Sequence, residues 1–509
     1  MGFFNKLTTV GRICVIGAVI AAIGGIVYAT GLNKTAASGA KSKFGSSKPD
    51  ATLVVNSYTG FSPIVWGNGG LEPNDTSYFA KKFGVKLKIK IMDDFDAARS
   101  ALKNGDAQIE YCTLDALPVE MSAGGTMTDI KYFMLLNFSA GADALVANAA
   151  VQKVADLKGK RVAYSEGTAS HTLLINALET SNMTMDDIIP VKVSSGIEAA
   201  QMFKSKQVDC AAVWSPDDKD CIDAFQGAHL LTSTAQSNML VSDGLIAKKE
   251  WLENNKELAT KIAEAIIAAN SEVSNNKKAF NEAAEVFAKE FESDVEFAKA
   301  SSSTINYATL ADEANWLGLN TDYNGMTGER IYPKMSRQYS QLGLCKAVLP
   351  YSKVAYTDII EGLMGSNNLD NKQTEAGTKE KTFEAPKAED ETKAAFSSKK
   401  VTINYPTAGF TLDNEARATI DREFVDIIQS YANTRIRIEG NTDATGNYDS
   451  NVQLSKKRAQ SVADYLKKQY NVNPNRIVVV GNGPKHALEA GVKGDNADYR
   501  TTDLSLLAE

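Results

Sequence analysis

Residues 156–183, DLKGKRVAYSEGTASHTLLINALETSNM, limit what this chain can fold into more than any other stretch. They read as an apolar strand, a Gly-Thr-Ala-Ser turn and a helix with one apolar face. The plan recurs. ATLVVN (51–56) and VKLKIKIM (85–92) are strands, FDAARSALKNG (95–105) is a short amphipathic helix stopped by Gly105, and AQIEYCTLDALP (107–118) is a strand ending in a polar turn. VKVSSGIEAAQMFKSKQVDCAAVWSPD (191–217) repeats strand, helix and strand. Such alternation predicts an α/β fold with parallel strands.

Ligands of open α/β sheets collect at the carboxyl ends of the strands. Those ends carry Ser57-Tyr58-Thr59, Thr113-Leu114-Asp115, Gly167-Thr168-Ala169-Ser170 and Trp214-Ser215-Pro216-Asp217. Ser57, Tyr58, Thr113, Thr168, Ser170 and Trp214 are the candidate ligand contacts. Thr168 and Ser170 also suit a helix cap, Trp214 a packed aromatic, and His171 either an anion donor or a helix face. None of these turns holds a Lys or Arg, so a ligand would depend on hydroxyls and backbone dipoles. The expected ligand is a small, weakly charged anionic or zwitterionic solute, if the cleft takes one.

At 509 residues the chain exceeds one ordinary domain. A net charge of −7 argues against nucleic acid as a partner. The three histidines, His171, His229 and His486, are far apart, so neither a metal site nor a cofactor is expected. Of the five cysteines, Cys14 falls in an apolar run, and Cys112, Cys210, Cys221 and Cys345 are scattered. Cys210 and Cys221 either pair or stay buried thiols.

Lys6 and Arg12 precede an uncharged run, residues 13–32. Twenty residues at about 1.5 Å each span a bilayer core. The run reads as one transmembrane helix, with residues 1–12 in the cytoplasm; a cleaved signal peptide is the alternative. Gly17, Ala21 and Gly25, spaced by four, either offer a packing face to an integral membrane partner or recur by chance. The run lacks the membrane carboxylate that an ion-driven stator subunit needs. Residues 33–50, rich in Lys, Ser, Ala and Gly, read as a tether.

The order of DLKGKRVAYSEGTASH, then LxxALE, then DCAAVWSPD resembles the type 2 periplasmic solute-binding proteins, in particular the nitrate/sulfonate/taurine branch. The resemblance covers 51–365. It implies two lobes with hinge strands near 137–142 and 242–245, the second lobe being roughly 141–241. Some relatives of this fold make a thiamine precursor with clustered Cys and His; dispersal of those residues here predicts no enzyme. Residues 366–399 have few large apolar side chains and are expected to be a disordered linker.

From Lys400 onward the chain alternates strand and amphipathic helix, with Ala416, Ile420, Phe424 and Ile427/Ile428 on one helix side. GNTDATG (440–446) and NVQLSKKRA (451–459) follow. They resemble the signature of the OmpA-like peptidoglycan-binding domain, and the likeness covers 401–507. It implies a βαβαβ–β, α+β domain. It also implies that Asp443 holds the ammonium and Arg458 the carboxylate of diaminopimelate in the peptidoglycan stem peptide. Thr442, Gly446, Asn451, Leu454 and Ser455 would shape the pocket, and Arg500 matches the first Arg of a closing N-R-R motif. Asn441 stands where the family has His, and Thr501 where it has the second Arg.

The expected protein is thus anchored in the bacterial inner membrane, holds peptidoglycan and presents a solute-binding domain in the periplasm for sensing or capture. The alternative is a scaffold that ties a membrane complex to the wall and reuses the binding fold for protein contact.

Overall fold

The computed structural model describes residues 48–122, 127–237, 239–366, 369, 373–379, 381–405 and 409–507. The run 13–32 and the Gly17, Ala21, Gly25 row lie outside them. Among the described residues no helix is long and apolar enough to cross a membrane.

In chain order the elements that position the sites begin with β1 (Ala51–Val55), β2 (Leu87–Ile91), α1 (Phe95–Asn104), β3 (Ile109–Thr113) and β4 (Ile130–Ser139). Then come β5 (Asp143–Ala147), β6 (Arg161–Ser165), α2 (Ala169–Glu179), β7 (Ile189–Val193), α3 (Gly196–Lys204), β8 (Cys210–Trp214) and β9 (His229–Ser233). β10 (Ser242–Lys248) and β11 (Ile305–Tyr307) follow. Asp94 caps α1 by accepting from the Ala97 amide, and Gly105 ends it at φ 83°, where a side chain would be strained.

Two sheets result. One has the order β11-β4-β10-β3-β1-β2, the other β7-β6-β8-β5-β9. β1, β2 and β3 are parallel, as are β6, β7 and β8. β10 runs antiparallel to both β3 and β4. The sheets are therefore mixed where the alternation predicts parallel strands. The reason is topological: β4 leaves the first sheet for the second and β10 returns. The carboxyl ends of β1, β3, β6 and β8 consequently face the junction between the sheets. There the Ser139 hydroxyl lies 2.7 Å from that of Thr234, which also accepts from the Gly141 amide at 3.0 Å.

α4 (Gly328–Gln341) lies across that junction. Gly328 packs against Leu114 in the first lobe, while Tyr339 bonds Thr172 of α2 in the second at 2.7 Å.

The carboxy-terminal sheet is formed by β12 (Ala395–Val401), β13 (Ile436–Asn441), β14 (Ile477–Gly483) and β15 (Thr502–Leu507), in the order β12-β15-β13-β14. α5 (Tyr448–Tyr470) connects β13 to β14 and buries Ser455, Ala459, Val462, Ala463 and Leu466 at helical spacing. The helix of 414–430 carries a π turn at Asp421–Val425, which keeps Ala416, Ile420, Phe424, Ile427 and Ile428 all buried.

The expected disorder of 366–399 does not hold where that stretch is described. The buried Asp312 carboxylate accepts from the amides of Ala376, Gly377 and Thr378 and from the Thr378 hydroxyl. β12 opens at Ala395, ahead of the expected boundary at Lys400. Backbone amides gathered by one buried acid fix residues 376–378, and Phe383 and Phe396 are buried further along.

Residues 48–509 form one compact unit. Within it the carboxy-terminal domain is docked on both lobes. Ser397 bonds Thr180 and Ser181, each at 2.6 Å, and the Lys400 amide donates to Asn182. On the other side Arg330 donates to Gln429, and Lys334, 2% exposed, reaches Asn176, Glu179 and Ser430.

Candidate functional site

Two sites emerge, one in the carboxy-terminal domain and one at the junction of the lobes. In the first, β13 passes so close to α5 that a Cβ on Gly440 would lie 2.1 Å from the Ser455 carbonyl oxygen. The approach lets the Ser455 hydroxyl accept from the Gly483 amide at 2.9 Å and fixes the loop that starts at Asn441. Asn441, in the place of the family's histidine, donates to Thr501 and Asp503 and accepts from Asn482, each at 3.0 Å. It ties three elements together beneath the loop.

Asp443 is 6% exposed. It accepts from the Thr445 amide at 3.1 Å, the Asn496 amide at 3.4 Å and Arg500 Nη1 at 2.5 Å. Burial opposes its charge, but these three donors outweigh burial and hold the carboxyl below its ordinary value. Asp443 is thus ionised, and its cationic partner is Arg500. Arg500 also pairs with Asp495.

Arg458 is held differently. Its Nε donates to the Gly409 carbonyl at 3.0 Å and its guanidinium sits 4.8 Å from the centre of the Tyr405 ring. No described carboxylate pairs with it. Partial burial pushes it below the ordinary arginine value. The two residues therefore do not form a surface ion pair with each other. The guanidinium is left able to take a carboxylate in two-pronged fashion.

Thr442 is buried and donates to the Asp443 carbonyl; Gly446 makes the turn at φ 91°. Asn451 donates to the Thr445 carbonyl at 2.7 Å, Leu454 is half-buried, and Arg500 lies beside Asp443. Tyr405, Asn496 and Asp495 complete the site and were not singled out in the sequence. They lie in loops far along the chain from Arg458 and Asp443, and no spacing signals them.

At the lobe junction the candidates separate. Ser57 bonds Asp93 through both its amide and its hydroxyl, so it is engaged on the exposed rim. The Thr168 hydroxyl donates to the Ser165 carbonyl and caps nothing. Tyr58 is half-buried, and burial followed by the charges of Asp243 and Asp143 pushes its phenol up. Thr113 stands opposite Asp243 in the β3–β10 register. Trp214 stands opposite Asp143 and lies over Gly196, where a Cβ would meet the indole at 3.1 Å. The Ser170 side chain is fully buried and its hydroxyl has no partner.

His171 is buried, stacks on Tyr164 at 4.6 Å and accepts from the Gly167 amide through Nδ1. Burial, with Lys192 adding to it, pushes it down to about 4, so the ring is neutral. The helix-face reading applies, and a cationic anion donor does not. Cys210 and Cys221 are free and buried.

Three residues outside the candidate set dominate this junction. Asp115, Asp143 and Asp243 are 0%, 5% and 7% exposed. Burial raises Asp115 to about 7 and Asp143 to about 6, and it also raises Asp243 well above the ordinary carboxyl value, with Asp143 and Asp115 adding to it. Asp115 closes a strand-end triplet visible in the sequence. Nothing local signals that all three become buried together.

The comparisons with known proteins follow this division. Residues 74–278 match the family model described as NMT1/THI5 like, and residues 405–500 match the OmpA family. The taurine-binding periplasmic protein of Escherichia coli is 25% identical over 195 residues, 38% of this chain and 58% of that protein. Outer membrane porin F of Pseudomonas aeruginosa is 36% identical over 62 residues, 12% of this chain and 18% of the porin. The chain spans about half the length of the curated binding proteins that it matches. The crystal structure of the periplasmic aliphatic sulphonate binding protein of Escherichia coli superposes with a TM-score of 0.50 at 16% identity, covering 62% of this chain and all of that one. This last likeness shows the two-lobed fold. Two of these relatives are named as periplasmic binding proteins, and both domain types imply a periplasmic or envelope location. The chain therefore joins a domain that matches the NMT1/THI5 like family model to a carboxy-terminal domain that matches the OmpA family.

Proposed function

We propose that this protein is held in the inner membrane by residues 13–32, grips peptidoglycan through its OmpA domain and presents a solute-binding domain in the periplasm for sensing or capture. One observation carries the wall-binding half. Asp443 is ionised, while Arg458 beside it has no carboxylate partner among the described residues. A zwitterion such as the diaminopimelate end of a stem peptide satisfies both, its ammonium against Asp443 and its carboxylate against Arg458. Thr442, Gly446, Asn451, Leu454 and Ser455 shape the loop and helix between the two, and the Thr445 amide and Arg500 help to keep Asp443 charged. The uncharged run supplies the anchor, and its Gly17, Ala21 and Gly25 row supplies a close-packing face for a membrane partner.

The test is co-sedimentation of the full chain with purified peptidoglycan. Arg458→Ala and Asp443→Ala should each cut the bound fraction at least tenfold. Unchanged sedimentation of both would sink the wall-binding reading.

A further inference from the structure

The fold aims the carboxyl ends of β1, β3, β6 and β8 at the junction of the lobes, and the first turn of α2 offers the partial positive charge that an anion would seek. That seat is taken from within. Asp115, at the end of β3, faces Thr172 in the first turn of α2. Asp143 and Asp243 complete a set of three buried carboxyl groups, and among the described residues none of them makes an ion pair. The neighbouring His171 is neutral and uses Nδ1 as an acceptor. An anionic ligand entering here meets no counter-charge, and it makes ionisation of the buried acids still less favourable.

What the junction does offer is acceptors. The Asn137 side-chain oxygen and the hydroxyls of Ser242 and Ser170 are fully buried and have no hydrogen-bond partner. Asn137 and Ser242 adjoin Asp243 on β4 and β10. Buried polar atoms of this kind are normally satisfied. Tyr58 faces Asp243 and Asp143, and Trp214, opposite Asp143, adds an aromatic surface of the kind that attracts cations. Among the described residues no three carboxylates, histidines or cysteines converge as a metal-binding set. The acceptors are spread out rather than gathered round one ion.

We propose that the cleft takes a small organic amine, a solute with one or two ammonium groups and no anionic group, held between Asp115, Asp143 and Asp243. This rests on the solute-binding reading above and names the class of ligand. Ammonium N–H groups supply the donors that Asn137, Ser242 and both Asp115 carboxyl oxygens lack, and the positive charge offsets the cost of ionising buried acids.

The experiment is calorimetry and thermal shift on the full chain, with putrescine and butylamine set against taurine, butanesulfonate and nitrate. The amines should bind and raise Tm, and the three anionic or zwitterionic probes should not. Asp243→Asn and Asp143→Asn should each weaken amine binding at least tenfold, while Glu257→Gln, at an exposed helix position, leaves it within twofold. A cooperative urea-unfolding transition with an unchanged m-value for each variant serves as the check that it is folded. Binding of taurine, butanesulfonate or nitrate without the amines overturns the ligand class and leaves solute binding intact. Binding of none of the five probes overturns both. Amine binding that survives both substitutions overturns the site.

Discussion

At the residue scale Arg500, 57 residues away, joins the Thr445 and Asn496 amides in holding Asp443 below its ordinary value. Arg500→Ala should let the Asp443 carboxyl rise toward its ordinary value. Peptidoglycan binding would then fall more at pH 4 than at pH 7, a difference that co-sedimentation at the two values measures. The buried acids at the lobe junction carry the opposite sign. Asp115 at about 7 and Asp143 at about 6 keep their protons in the folded chain over a range where the unfolded chain has lost them. The folded state then binds more protons, so stability falls as pH rises from near the ordinary carboxyl value through those values. Asp115→Asn should flatten that slope and stabilise the ligand-free protein at pH 7.5 by about 3 kcal/mol relative to pH 4.5, read from urea denaturation. Much of the candidate wall-binding site is legible as a motif, because Asp443, Arg458 and the residues expected to shape the pocket lie in one contiguous stretch. The Asp443–Arg500 pair, the Tyr405 ring beneath Arg458 and the convergence of Asp115, Asp143 and Asp243 are not, because each depends on loops or strands that meet only after folding.

At the scale of elements, periodicity served well for the strands and for the amphipathic helices, whose apolar faces are the ones buried. It failed at β12. Its sequence, AFSSKKV, places small and charged residues where an expected strand would be apolar. An edge strand tolerates that, and Lys399 is buried only because it meets Glu423 at 3.2 Å. It also failed at 373–379, where order comes from amides converging on Asp312 rather than from side-chain burial. Asp312→Ala should cost about 3 kcal/mol, because several buried amides lose their acceptor together. Limited proteolysis should then cut within 373–399 at least tenfold faster, and an unchanged rate would mean that the acid is not what holds the segment. Gly440 is the tightest contact between β13 and α5. Gly440→Ala should destabilise the OmpA domain by about 2–3 kcal/mol in a denaturant titration and weaken peptidoglycan binding along with it.

Across the whole molecule, the sequence divides into a binding domain, a linker and a wall domain, and this division is where it was least complete. No composition signal shows that the last domain is fastened to both lobes. Lys334 is the buried charge in that seam. Lys334→Ala should cost about 3 kcal/mol by stranding Glu179, Asn176 and Ser430. Lys334→Met, which keeps the volume, should lose less.

Ser397 and Lys400 hold one lobe, and Gln429 and Ser430 hold the helix that crosses to the other. A body clamped to both jaws of a hinge is a strut. On the proposed wall-binding reading, stretching of the murein mesh would load the jaws through that strut as torque on the hinge. A ligand that drew the jaws together would send the displacement outward by the same path. Affinity for solute and strain in the wall would then be reciprocal readings of one coordinate.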